Sequence, residues 1–149
     1  LGVVYDPRAD ECFYAEAGRG AFLDGDRLPL KTPPAVLARC IAGVDFKRIP
    51  RALAGRLAAE HPYSSQRNLG ASTLDWCYLA AGRLHVYLHG GQKLWDYAAG
   101  ALILAEAGGA LCARDGGDFW QGDPWQRSVI AGLNGELLGQ WRDWVRATP

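Results

Sequence analysis

Short apolar strand candidates alternate with helix-period segments from Arg39 to the end, and that alternation predicts an α/β fold built in layers. Two further observations point the same way. The chain has 149 residues, 49% hydrophobic and 21% charged, which suffices for an ordinary core without metals or disulfides as props. Glycine supplies 19 residues, about twice the average usage, so tight turns and close backbone approaches are expected between the elements.

The first thirty residues predict a β meander. Gly2 to Tyr5 and Glu11 to Glu16 are strand candidates around an Asp6-Pro7 turn, and Ala21 to Leu23 follows between Gly18, Gly20 and the Asp24-Gly25-Asp26 cluster. Pro29, Pro33 and Pro34 then exclude regular helix. A domain boundary is placed near Thr32 to Val36, giving units 1–35 and 36–149.

Cys40 to Phe46 predicts a buried strand. Pro50 can occupy the first turn of a helix to about Glu60, with Leu53, Leu57 and Ala58 on one face and Pro62 as its stop. Ser65 to Leu69 predicts a short strand. Gly70 opens a helix through Ala81, carrying Leu74, Cys77, Tyr78 and Ala81 on one face, and Gly82 closes it. Arg83 to Leu88 returns as a strand before a Gly90-Gly91 turn. Asp96 stands where a helix N-cap belongs, ahead of Tyr97 to Ala107, and Gly108-Gly109 ends that helix. Ala110 to Ala113 and Ser128 to Ala131 are the last strands, and Asn134 caps an amphipathic helix to about Arg146.

Composition excludes several function classes. Sixteen Lys and Arg balance sixteen Asp and Glu, so no basic footprint for nucleic acid or anionic lipid exists, and a negatively charged substrate must be met locally. The apolar stretch Tyr97 to Ala105 is far short of a membrane span. Cys12, Cys40, Cys77 and Cys112 form no CxxC pair and sit among apolar neighbours, which predicts buried free thiols in a reducing, cytoplasmic setting. The chain lacks methionine and begins Leu1-Gly2-Val3-Val4-Tyr5, like the middle of a strand. A piece of a longer protein is therefore expected, with its opening strands either pairing with a second copy or fraying.

Three places could carry chemistry. Asp96 is either a plain helix cap or, as an ionised carboxylate on a glycine-flanked loop, a Mg²⁺ ligand that needs further acidic partners. Gly70-Ala71-Ser72-Thr73 stands at a strand-to-helix junction, where unpaired N–H groups attract anions and glycine permits close approach. His85 and His89 are four apart on one strand, but without a third nitrogen or sulfur ligand nearby they predict no zinc site. Trp120, Trp125, Trp141 and Trp144 read as packing residues.

Together these segments resemble a known family. Leu94-Trp95-Asp96-Tyr97-Ala98-Ala99-Gly100 followed by Glu106-Ala107-Gly108-Gly109 resembles the WDxAAG…EAGG signature of the inositol monophosphatases. Gly2-Val3-Val4-Tyr5-Asp6-Pro7 with Gly18 to Gly25 resembles that family's central hairpin, and Arg67-Asn68-Leu69-Gly70 to Ala80-Ala81-Gly82-Arg83 its helix after the substrate loop. The resemblance implies a layered αβαβα sugar-phosphatase-like fold, whose N-terminal strands belong to a truncated first α+β domain. It implies a lithium-sensitive, Mg²⁺-dependent phosphomonoesterase acting on a small phosphorylated polyol or sugar, with Asp96 as a metal ligand and Gly70, Ala71, Ser72 and His89 at substrate-contacting positions. A cytoplasmic homodimer is expected, with no nucleic-acid or membrane partner. The family's upstream acidic motifs would precede Leu1, so this chain alone is expected to be inactive. Ala71, His85 and His89 depart from the family's usual hydroxyl, aspartate and glutamate, which leaves a non-catalytic descendant or a nucleotide bisphosphate phosphatase of the same superfamily as alternatives.

Overall fold

A computed structural model describes residues 1–147 of the chain. Strands β1 (Gly2–Asp6), β2 (Glu11–Glu16), β3 (Gly20–Leu23) and β4 (Asp26–Arg27) form an antiparallel sheet in sequence order. Alternation along β1 sends Val4 inward and leaves Val3 and Tyr5 more than half exposed on the outer face. The predicted meander is present, extended by the two-residue β4.

The second sheet has the order β6-β5-β7-β9-β8, made of β5 (Ile41–Asp45), β6 (Ser65–Arg67), β7 (Val86–Gln92), β8 (Ala110–Cys112) and β9 (Arg127–Gly132). β5 runs parallel to both β6 and β7, while β9 is antiparallel to β7 and β8. Helices α1 (Arg51–Glu60) and α2 (Ser72–Ala80) make the crossovers β5-α1-β6 and β6-α2-β7, and α3 (Leu94–Glu106) links β7 to β8. The closing helix α4 (Gly135–Arg146) begins as its sequence predicts, with Asn134 Oδ1 accepting the Leu137 N–H at 2.8 Å.

α2 and α3 pack on each other. α3 covers β1, β2 and β3, while α2 reaches β7. On the far side of the second sheet, α4 lies on β9 and β8, and Arg56 of α1 stacks over Trp144 of α4. Four layers result, β-α-β-α, and the core runs through them from Phe13 and Leu23 to Trp76, Leu104, Ile130 and Trp141. Burial of such side chains is worth about 1.5–3 kcal/mol each.

Several local expectations are corrected. Gly90 and Gly91 lie inside β7 and make no turn, because the strand continues to Gln92 across an irregular stretch of its pairing with β9. His85 precedes β7, where its Nδ1 accepts the Ile41 N–H at 2.9 Å. Cys40 and Cys77 are buried free thiols whose burial pushes them up to about 11 and about 12, but Cys12 and Cys112 are only half-buried. Trp141 is fully buried and stacks on Trp144, whereas Trp120 and Trp125 are more than half exposed. Their segment is pinned by Arg127, which donates to the Phe119 and Trp120 carbonyls, and by Tyr97, which donates to Pro124 O. Among the described residues no helix is long and apolar enough to cross a membrane.

Candidate active site

The parallel strands β6, β5 and β7 end along one edge of the second sheet, the edge at which open α/β sheets bind ligands. β5 finishes on Asp45, whose Oδ1 accepts the Lys47 N–H at 2.7 Å and turns the chain into a 3₁₀ segment, Phe46–Arg48. β7 presses against that segment. A Cβ on Gly90 would lie 1.8 Å from the Arg48 carbonyl oxygen, so only glycine allows the approach.

This closeness sets His89 beside Asp45. His89 Nε2 is 3.4 Å from Asp45 Oδ2, and its Nδ1 accepts the Gly91 N–H at 3.1 Å. An accepting Nδ1 places the neutral ring's proton on Nε2, facing the carboxylate. Burial lowers the His89 pKa; Asp45 and Asp96 oppose that shift, and Arg48 and Lys47 add to it. The imidazole is thus a neutral support for Asp45, which is the more exposed of the two side chains.

β6 leads into the predicted anion loop. Asn68 Oδ1 accepts the Gly70 N–H at 2.8 Å, and Gly70 adopts φ +73°, a left-handed conformation that a side chain would strain. Ala71 is extended and occupies the N-cap position without a side-chain bond, so α2 starts at Ser72, two residues later than expected. Behind this loop the buried Tyr87 of β7 accepts through Oη from Gln92 Nε2 at 2.6 Å, and Gln92 Oε1 accepts from Trp76 Nε1 at 3.0 Å.

Asp96 is the third residue of α3 and not its N-cap. Its Oδ2 accepts the Lys93 N–H at 2.9 Å, and this back-bond starts the helix at Leu94, three residues ahead of the expected Tyr97. The carboxylate is half-buried, and Oδ1 carries no hydrogen bond from the described residues. A hard, unengaged oxygen donor fits Mg²⁺. It is one ligand only: among the described residues no group of three His, Cys, Asp or Glu side chains is placed to hold a metal ion.

Asp45, His89 and Asp96 therefore share one edge with the Gly70–Ser72 loop, while His85 lies ahead of β7, four residues before His89 and about 13 Å away at strand rise. A cavity of about 410 Å³ beside β6, lined by Phe46, Tyr63 and Gln66 among others, includes none of Ser72, His89 and Asp96. Sequence reasoning missed Asp45, Asp75, Tyr87 and Gln92. The available signal was polarity out of place: Asp75 interrupts an apolar helix face, and Gln92 ends an apolar strand.

The profile of the inositol monophosphatase family matches residues 1–145. The chain belongs to that family. Over 124 residues it is 38% identical to the Nus factor SuhB of Haemophilus influenzae, covering 80% of this chain and 46% of that protein. It is 36% identical over 121 residues to an inositol-1-monophosphatase of Mesorhizobium japonicum, covering 78% and 45%. The crystal structure of the extragenic suppressor protein suhB from Bartonella henselae superimposes with a TM-score of 0.85 at 28% identity, covering 99% of this chain and 56% of that one. The chain thus spans about half the length of these relatives. The layered sugar-phosphatase-like fold expected for an inositol monophosphatase family member is the fold observed.

Proposed function

We propose that this chain forms the C-terminal part of a Mg²⁺-dependent phosphomonoesterase for a small polyol or sugar phosphate, inositol monophosphate or a relative of it. The observation that carries the proposal is the common edge: a back-bonded carboxylate with one unengaged oxygen, Asp96, shares it with a glycine-led helix N-terminus at Gly70–Ser72. Asp96 would hold Mg²⁺ together with acidic residues outside this chain. When bound, Mg²⁺ supplies an acidified water and neutralises charge on the leaving oxygen. The first N–H groups of α2 lack intrahelical partners and bind phosphate oxygens, and the absent Cβ of Gly70 allows the approach. Ala71 contributes its backbone alone. Asp45, held by His89 and the Lys47 N–H, is placed to accept hydrogen bonds from substrate hydroxyls, so His89 acts at the substrate position through its neighbour.

A family-length protein containing this chain should release phosphate from inositol 1-phosphate only with Mg²⁺, and residues 1–149 alone should not. Full activity of the isolated chain would refute the division of ligands.

A second reading is a non-catalytic role in an assembly. It is supported by the engagement of both His89 ring nitrogens within the protein and by the Nus factor name of the Haemophilus relative. Calorimetry of the family-length protein with Mg²⁺ separates the two: heat of metal binding supports the hydrolase, and its absence supports the assembly role.

A further inference from the structure

An amide side chain is sealed inside the core close to Asp96, and the proposed chemistry gives it no part. Gln92, the last residue of β7, is fully buried, and so are Trp76 of α2 and Tyr87 of β7, the two side chains it joins. Trp76 Nε1 donates to Gln92 Oε1 at 3.0 Å and Gln92 Nε2 donates to Tyr87 Oη at 2.6 Å, while the two aromatic rings meet edge to face at 5.3 Å. An apolar side chain would fill that space with no amide to satisfy, so the polar chain needs a reason beyond packing.

That reason lies in what its members hold. The N–H that Asp96 Oδ2 accepts, at 2.9 Å, belongs to the planar peptide unit between Gln92 and Lys93, so the backbone of Gln92 sets its direction. Gly100 follows Asp96 by four residues and lies on the same face of α3, one turn further along. A Cβ on Gly100 would stand 2.4 Å from Trp76 Cβ, so glycine lets α3 rest directly on the residue that grips Gln92. The contacts close a circuit: Trp76 to Gln92, Gln92 through its peptide to Asp96, Asp96 along one turn to Gly100, and Gly100 back to Trp76.

We propose that Gln92 and Trp76 are positioning residues for Asp96: the circuit holds the Gln92–Lys93 peptide against the first turn of α3, so that Oδ2 is committed to the Lys93 N–H and Oδ1 is kept for the cation. The proposal rests on the assignment of Asp96 as a Mg²⁺ ligand. Neither residue is itself a ligand. They act by restricting a carboxylate that would otherwise rotate and present either oxygen, and outer hydrogen bonds of this kind typically carry about 10- to 100-fold in metal affinity. The Asp96 N–H also donates to the Lys93 carbonyl at 2.9 Å, so Lys93 and Asp96 are bonded twice and a displaced Gln92 disturbs both bonds.

Two variants of the family-length protein open the circuit at different points. Gln92→Leu removes the amide, and Trp76→Phe removes the indole N–H while keeping an aromatic ring against Gly100. Ile130→Val in β9 is the control, because it trims the buried core without touching the circuit. Isothermal titration should give a Mg²⁺ Kd raised roughly tenfold in both circuit variants and within about twofold of wild type in the control. Hydrogen exchange read by NMR should show the Lys93 amide losing protection in both circuit variants, with the amides of Ala101 to Leu104 in the middle of α3 unchanged. Unchanged Lys93 exchange, or unchanged Mg²⁺ affinity in a protein that binds the ion, overturns the proposal. So does an equal loss of affinity in Ile130→Val, which would mark a general loosening of the core. If Lys93 loses protection as expected and the wild-type protein binds no Mg²⁺, the hold of Gln92 and Trp76 on Asp96 is supported and the metal assignment alone fails.

Discussion

The two sheets share the α2–α3 layer yet treat polar side chains in opposite ways. Inside the meander, Val4, Phe13, Ala15, Ala21 and Leu23 are apolar, and the buried Asp6 is satisfied locally by the N–H groups of Arg8 and Ala9. Charges stay at its rim, where they tie elements together. Glu106 of α3 accepts from Gly18 and Gly20 at 2.8 Å each, and Arg83 grips Glu11 with two hydrogen bonds. At the carboxyl edge of the second sheet the core itself takes in Asp75, His89 and Gln92. Burying such groups costs stability unless each finds a partner, so their concentration at one edge marks that edge as built for something other than packing. Glu106 shows the converse: part of the family signature is a clamp that holds the meander to α3.

The widest expected difference between the two regions is in pH dependence. Burial pushes the Asp75 carboxyl up to about 7 from 3.8, so the folded state holds more protons between those values and stability falls as pH rises through that window. Asp75→Asn should remove the fall and gain up to about 4 kcal/mol at pH 8, measured by urea unfolding. An unchanged pH profile would mean the site edge is no costlier than the meander. Gly90→Ala places a methyl group against the Arg48 carbonyl and should cost about 3 kcal/mol while parting His89 from Asp45, seen as a raised urea sensitivity and shifted His89 resonances. Gln92→Leu leaves the Trp76 indole N–H and the Tyr87 hydroxyl without their buried partner and should cost about 2 kcal/mol. Glu106→Gln, in the meander clamp, should give the smallest effect, a slight drop in Tm. A larger loss there than at Gln92 would reverse the comparison.

The strand and helix order was legible because period-two and period-3.6 patterns were clean and the turns carried Gly, Pro and Asp. Boundaries moved where a side chain reached backwards. Asp96 read as a cap because it precedes an apolar run, but its bond to Lys93 N–H adds three residues to the helix. Gly90-Gly91 read as a turn because two glycines usually punctuate, whereas here Gly90 admits the neighbouring Arg48 backbone. Asp45 was illegible because its significance lies in a pairing with His89 across two strands that no local pattern encodes, whereas Gln92 was signalled only by polarity at the end of a buried strand. Trp120 and Trp125 depart from the packing role predicted for them: both are more than half exposed, in a segment held by Arg127 and Tyr97 through its backbone carbonyls.

The central claim, that Asp96 holds a catalytic divalent cation, is tested most directly by isothermal titration of Mg²⁺ into the family-length protein and its Asp96→Asn variant. The account predicts measurable binding that the substitution weakens by at least about 100-fold, together with loss of phosphate release from inositol 1-phosphate. Equal Mg²⁺ affinity in the two proteins would contradict it.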